Sequence, residues 1–99
     1  MARIVLAEDD PALRHYLTVA LERAGHEVYA CDDGEKALAA VGTKSYQLLI
    51  SDIVMPGMDG ITLARHTVTE APDTKIMFIT GFAAIAMTQL GDLDRKSVV

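Results

Sequence analysis

The sequence predicts an α/β fold, a doubly wound parallel sheet with helices on both faces, and three observations point there. Short apolar runs recur at Ile4-Val5-Leu6-Ala7, around Val28, at Leu48-Leu49-Ile50 and at Ile76-Met77-Phe78-Ile79, and the longer ones have the composition of strands buried on both faces. Amphipathic stretches of helical spacing lie between them, and strands that alternate with such helices form parallel sheets through right-handed crossovers. Acids, glycines and prolines gather just after the apolar runs, which in this architecture is one rim of the sheet.

The first strand spans Arg3 to Ala7 and ends abruptly in Glu8-Asp9-Asp10-Pro11. Asp10 before Pro11 is a helix start, with the acid at the N-cap and proline at the first helical position, where its missing N–H costs nothing. Leu13, Leu17, Ala20, Leu21 and Ala24 then recur as a core face until Gly25 ends the helix. His26 to Ala30 is a shorter second strand, followed by Asp32-Asp33-Gly34 and a helix from Glu35 to Val41. Gly42 and Ser45 mark the loop into the central strand, where Tyr46 precedes Leu48-Leu49-Ile50 and Asp52 interrupts the apolar run as a turn begins. Pro56-Gly57 and Asp59-Gly60 punctuate the exit loop. Ile61 to Glu70 forms a third helix with Ile61, Ala64 and Val68 on its apolar face, stopped by Ala71-Pro72-Asp73. Lys75 to Ile79 is a fourth strand ending in Thr80-Gly81, and Phe82, Ile85, Ala86 and Leu90 repeat as a fourth helix.

Composition narrows the function classes. The chain has 99 residues, enough for one domain, and its 51% hydrophobic content supports a core that is mostly aliphatic, since it has no Trp. A net charge of −5 and a pI near 4.9, without a Lys/Arg run, disfavour direct nucleic-acid binding. Cys31 has no second thiol to pair with, which fits a reducing cytoplasm. The apolar run before Glu8 is too short for a signal peptide or a membrane span, so the protein is expected to be soluble, cytoplasmic and free of membrane contact.

The predicted topology brings the strand ends together, so Glu8 and Asp9 after the first strand, Asp52 after the third and Thr80 after the fourth share one crevice. Carboxylates so close repel one another unless a cation compensates, and an all-oxygen site with open water positions suits Mg²⁺. With a phosphoryl group drawn to such a site, Asp52 is placed to act as a nucleophile and form an aspartyl phosphate, and the Thr80 hydroxyl to donate to the product. A lone Asp52 capping a turn is the plain alternative, and the other acids outweigh it. His15, His26 and His66 lie on polar helix faces or before a strand and are assigned surface roles. Met55 and Met58 are assigned to turn packing, and Cys31 to a half-buried small residue.

These residues resemble the receiver domains of bacterial two-component response regulators. The resemblance rests on Glu8-Asp9-Asp10 after the first strand, on Asp52 with Met55-Pro56-Gly57-Met58-Asp59-Gly60, and on Thr80, across residues 3 to 90. It implies the CheY-like (βα)5 relative of flavodoxin, with spatial strand order 2-1-3-4-5. It further implies Asp52 as phosphoacceptor, Asp9 as direct Mg²⁺ ligand, Glu8 as a ligand through water, the Val54 carbonyl as another ligand, and Thr80 as the switch residue. Residues 76–84 are similar to single-domain CpdR-type receivers of alphaproteobacterial cell-cycle signalling. The implied partners are a histidine kinase or histidine phosphotransfer protein and a downstream protein target, with self-phosphorylation and self-dephosphorylation the only chemistry expected.

The sequence departs from that family at its end. A receiver continues into a fifth strand, a Lys-Pro pair and a fifth helix, whereas here Lys96 is followed by Ser97. Residues 1–93 are therefore expected to be a receiver lacking its fifth βα unit. Residues 94–99, Asp94 to Val99, read as the in-frame translation of a common sequencing adapter and are expected to be a non-native tail. The fourth strand would then be an open, aggregation-prone edge. Three rival readings stand beside the receiver. One is a Mg²⁺-dependent phosphatase with an aspartyl nucleophile, although Asp9-Asp10-Pro11 lacks the D-x-D spacing such enzymes usually carry. The others are a non-functional receiver fragment and a purely structural binding module, and the last would not need Glu8, Asp9, Asp52 and Thr80 on one rim.

Overall fold

The computed structural model describes residues 1–79 and 97–98. Its elements run β1 (Arg3–Ala7), α1 (Pro11–Arg23), β2 (Glu27–Cys31), α2 (Gly34–Val41), β3 (Leu48–Asp52), α3 (Gly60–Glu70), β4 (Lys75–Ile79) and β5 (Ser97–Val98). The strands form one parallel sheet in the order β2-β1-β3-β4-β5. Strand order reverses between β1 and β3, so the connections leaving these strands go to opposite sides and open a crevice beyond their carboxyl ends. Register puts Ala7 beside Ser51, so the next residues out on the two adjacent strands are Glu8 and Asp52.

Each face of the sheet has its own core. Side chains alternate along a strand, so Val5 and Ala7 of β1 join Leu49, Ile76 and Phe78 on one face, against Ala37, Ala40 and Val41 of α2 and Leu63 of α3. Ile4, Leu6 and Ile50 form the other face, with Leu17 and Leu21 of α1 packed on it. Helix starts follow the acids. Asp10 accepts from the N–H groups of Ala12 and Leu13, Asp33 from Lys36 and Asp59 from Thr62, each satisfying amides that the first helical turn leaves free. Gly25, at φ 95°, takes the left-handed conformation that ends α1 and that a side chain would resist.

Three expectations change. On α1 the i, i+4 row Leu13, Leu17 and Leu21 is half-buried, with Leu17 and Leu21 packed on the core, while Ala20 and Ala24 lie in solvent. On α3 the inward face is Gly60, Leu63 and Thr67, while Val68 is 52% exposed. Thr67 can face inward because its hydroxyl donates to the Leu63 carbonyl at 2.8 Å, so that hydroxyl is not left unpaired in the core. Thirdly, the expected open edge of β4 is partly covered: Ser97 and Val98 pair in parallel with Met77 and Phe78. An edge strand with free backbone groups is a template for such pairing. The helix expected over Phe82 to Leu90 lies outside the described residues. No described helix is long and apolar enough to cross a membrane.

Candidate functional site

Glu8 and Asp9 leave the end of β1, and Asp52 closes β3. One carboxylate oxygen from each of the three lies within 4.8 Å of the others. Their surroundings differ: Glu8 is buried at 1% exposure, Asp9 is exposed, and Asp52 is half-buried. The Glu8 N–H donates to the Cys31 carbonyl at 3.1 Å, which carries the ladder one residue past the strand and turns the side chain inward. Its Oε2 accepts the Asp10 N–H at 3.0 Å, whereas its buried Oε1 has no hydrogen-bond partner among the described residues.

Electrostatics follow from that burial. Desolvation, with the nearby Asp52 and Asp9 carboxylates adding to it and the Asp10 N–H opposing it, pushes the Glu8 carboxyl up to about 7. A buried acceptor left unpaired and two further carboxylates within reach form an all-oxygen donor set, and such a set matches a hard divalent cation such as Mg²⁺.

Asp52 is held by its own loop. Its Oδ1 accepts the Val54 N–H at 3.2 Å, and the Gly60 N–H donates to the Ile53 carbonyl at 2.8 Å, folding the start of α3 back over the end of β3. A Cβ on Gly60 would come within 2.9 Å of Ile53 Cα and press on the Asp52 carbonyl, so only glycine permits this approach. Val54 sits in the exposed turn next to Asp52 and is 66% exposed.

Of the residues singled out from sequence, Glu8, Asp9 and Asp52 are brought together with Val54 beside them, and Thr80 lies outside the described residues. Asp10 stands apart as the cap of α1. His15 and His66 are exposed, while His26 plays a structural part, its Nδ1 accepting the Ala2 N–H at 3.0 Å and helping to fix the start of β1. Met55 is buried in the core, Met58 packs against it, and Cys31 is buried more deeply than a half-exposed position implies. Sequence reasoning missed Arg14, whose Nη1 donates to the Glu8 carbonyl at 2.9 Å. An arginine six positions on, across a strand-to-helix turn, carries no periodic signal that would mark it.

Comparison with known proteins shows which family the chain belongs to. Residues 4–91 match the response regulator receiver domain family. The response regulator receiver protein CpdR of Brucella abortus is 50% identical over 99 residues, covering all of this chain and 82% of CpdR. FleR of Pseudomonas aeruginosa is 39% identical over 84 residues, but the chain spans only 18% of that longer protein. Among solved structures, the response regulator TrrA of Thermotoga maritima, in complex with Mg²⁺-BeF, superposes with a TM-score of 0.86 at 30% identity, covering all of this chain and 85% of that one. The complex of histidine kinase ThkA with TrrA gives a TM-score of 0.76 at 34% identity over 83% of this chain and 71% of that one.

Proposed function

This chain belongs to the response regulator receiver domain family, a signalling domain of two-component systems, and from that premise we propose that Asp52 is its phosphoacceptor. The observation that carries the proposal is the convergence of Glu8, Asp9 and Asp52, with the buried Glu8 Oε1 lacking a partner among the described residues. Asp9, Asp52 and the Val54 carbonyl would hold Mg²⁺ directly and Glu8 through a water. The bound cation would supply charge neutralisation for the carboxylates and for the entering phosphoryl oxygens. The TrrA structure with Mg²⁺-BeF supports that choice of ion.

The chemistry belongs to Asp52. A free carboxylate oxygen attacks the phosphorus of a phosphohistidine on the donor; the new O–P bond forms as the P–N bond breaks, and the electron pair leaves with the imidazole, which takes up a proton. The N–H of Val54 steadies the carboxylate from one side, leaving its other oxygen for the attack. Thr80, one residue past β4, would donate its hydroxyl to a phosphoryl oxygen and act as the switch that transmits phosphorylation to a protein-binding face.

The donor is a histidine kinase or a histidine phosphotransfer protein, a reading supported by the ThkA–TrrA complex and by 34% identity over 97 residues to the sensor kinase CckA of Brucella abortus. The output is a downstream protein target, the contact is protein to protein without nucleic acid or membrane, and the setting is the cytoplasm. Labelling with a small phosphodonor and Mg²⁺ tests this. The protein should take up one acid-stable, base-labile phosphoryl group, and Asp52→Asn should take up none. Label that persists on Asp52→Asn, or that resides on a histidine, overturns the assignment.

A further inference from the structure

Arg14 reaches back from the first turns of α1 to the backbone that carries two of the acids. Its Nη1 donates to the Glu8 carbonyl at 2.9 Å and makes a longer contact of 3.5 Å with the Asp9 carbonyl. Both carbonyls lie past the end of β1 and before the start of α1, and no backbone N–H outside the regular elements donates to either among the described residues. Neither ion pair found among the described residues, Arg3–Glu27 and Lys36–Asp32, involves Arg14. Its side chain is half-buried and lines a polar cleft of about 230 Å³ together with Cys31, Asp32 and Lys36, beside the acids.

The rest of the β1–α1 link is tied at its flanks. The Glu8 N–H is anchored on Cys31, and Asp10 is occupied with capping the helix. What lies between is the peptide joining Glu8 to Asp9, and its orientation decides where both Cβ atoms, and hence both carboxylates, point. One guanidinium nitrogen contacts the carbonyl of that peptide and, at longer range, the carbonyl of the next, so its two contacts bracket Asp9.

We propose that Arg14 is a positioning residue for the cation site, holding the Glu8–Asp9 backbone so that these two carboxylates address the same ion as Asp52. The inference rests on the reading of these acids as a Mg²⁺ site. Charge and position make opposite forecasts for its removal. Deleting a cation from the neighbourhood strengthens divalent binding by Coulomb's law, so a weakened site after neutral substitution isolates the positional role. A lysine keeps the charge, but its stem ends about one bond short of Nη1 and lacks the planar fork.

The probe is Mn²⁺, whose free-ion paramagnetic resonance signal falls on binding, with Mg²⁺ as competitor, in the full chain. Arg14→Met is expected to weaken Mn²⁺ binding about tenfold, the low end of what groups that orient metal ligands contribute. Arg14→Lys is expected to fall between it and the parent protein. A purely structural arginine would lower the urea midpoint of the metal-free protein and leave the Mn²⁺ affinity unchanged or raised, and that result overturns the proposal. If Arg14→Met does not fold, Arg14→Lys decides, since weaker binding at an unchanged urea midpoint sustains the role and parental affinity ends it. A parent protein that binds no Mn²⁺ sinks the reading of the acids together with this inference. Parental binding retained in Arg14→Met sinks only the inference.

Discussion

Asp10 donates its backbone N–H to Glu8 Oε2 at 3.0 Å while its own carboxylate caps α1, so one residue links the start of a helix to the buried acid of the site. The two duties are separable by chemistry, because the N–H survives any side-chain change. Asp10→Ala should therefore cost about 1 kcal/mol of stability, the usual worth of an N-cap, and leave divalent-ion affinity close to the parent's. Asp9→Asn should do the reverse, weakening Mg²⁺ with little change in the urea midpoint, because Asp9 is exposed and caps nothing. Equal losses of Mg²⁺ affinity in the two variants would show that the acids have been assigned wrongly.

Glu8 makes metal-free stability depend on pH in a defined direction. Its carboxyl ordinarily titrates at 4.5 and is pushed up to about 7 in the fold. Between these values the folded chain binds more protons than the unfolded one, so stability falls as pH rises through the window, by at most about 1.4 kcal/mol per pH unit. Below the window both states are protonated and the penalty is absent. Urea unfolding without Mg²⁺ should show this decline from about pH 5 to about pH 7, and Glu8→Gln, neutral at every pH, should flatten it. Saturating Mg²⁺ should flatten it as well, by compensating the ionised form. A stability that rises over the same range in metal-free buffer counts against a buried, desolvated Glu8.

Strands and helix starts were legible because they rest on local rules. Val5 and Leu49 sit in short apolar runs of the kind that strands buried on both faces carry, and Asp10, Asp33 and Asp59 each precede a helix by one residue. The convergence of Glu8, Asp9 and Asp52 was legible too, since parallel strands put their carboxyl ends on one rim. Less visible was which member of the cluster is buried: Glu8 and Asp9 are adjacent acids, and it is the ladder bond from Glu8 to Cys31 and the Asp10 N–H on its carboxylate that hold the first of them in the fold. On α3, apolar periodicity favoured Val68 over Thr67, because the hydroxyl's bond to the Leu63 carbonyl makes a polar residue acceptable inside and leaves no trace in hydropathy. The pairing of Ser97 and Val98 with β4 was hidden for another reason: a two-residue strand has no period to read.

Cys31 is predicted to be inert. Burial first, and then the Asp33 and Asp32 carboxylates, push its thiol up to about 11, so the thiolate that reacts is scarce at neutral pH. It is also 3% exposed, at the end of β2 against the Ala37 side of the core. Modification by a thiol reagent at pH 8 should be orders of magnitude slower in the native protein than in urea. Labelling at a rate comparable to the unfolded chain would mean that this end of β2 opens readily.

Gly60 gives the sharpest test of how the fold builds the site. It is the first residue of α3, where alanine would ordinarily be preferred by up to about 1 kcal/mol on helix propensity alone. A Cβ there, however, would meet Ile53 Cα at 2.9 Å and the backbone of Asp52, and neither neighbour is a flexible side chain that can swing away. The helix start must then back off, the Gly60 N–H must lengthen its 2.8 Å bond to the Ile53 carbonyl, and the loop that carries Asp52 and Val54 must shift with it. Overpacking of this kind costs about 1–3 kcal/mol, enough to outweigh the propensity gain. Gly60→Ala should therefore lower the urea midpoint and weaken Mn²⁺ binding together, although residue 60 contributes no ligand. A variant that is stabilised, with cation affinity intact, would show that the helix start can retreat without disturbing Asp52.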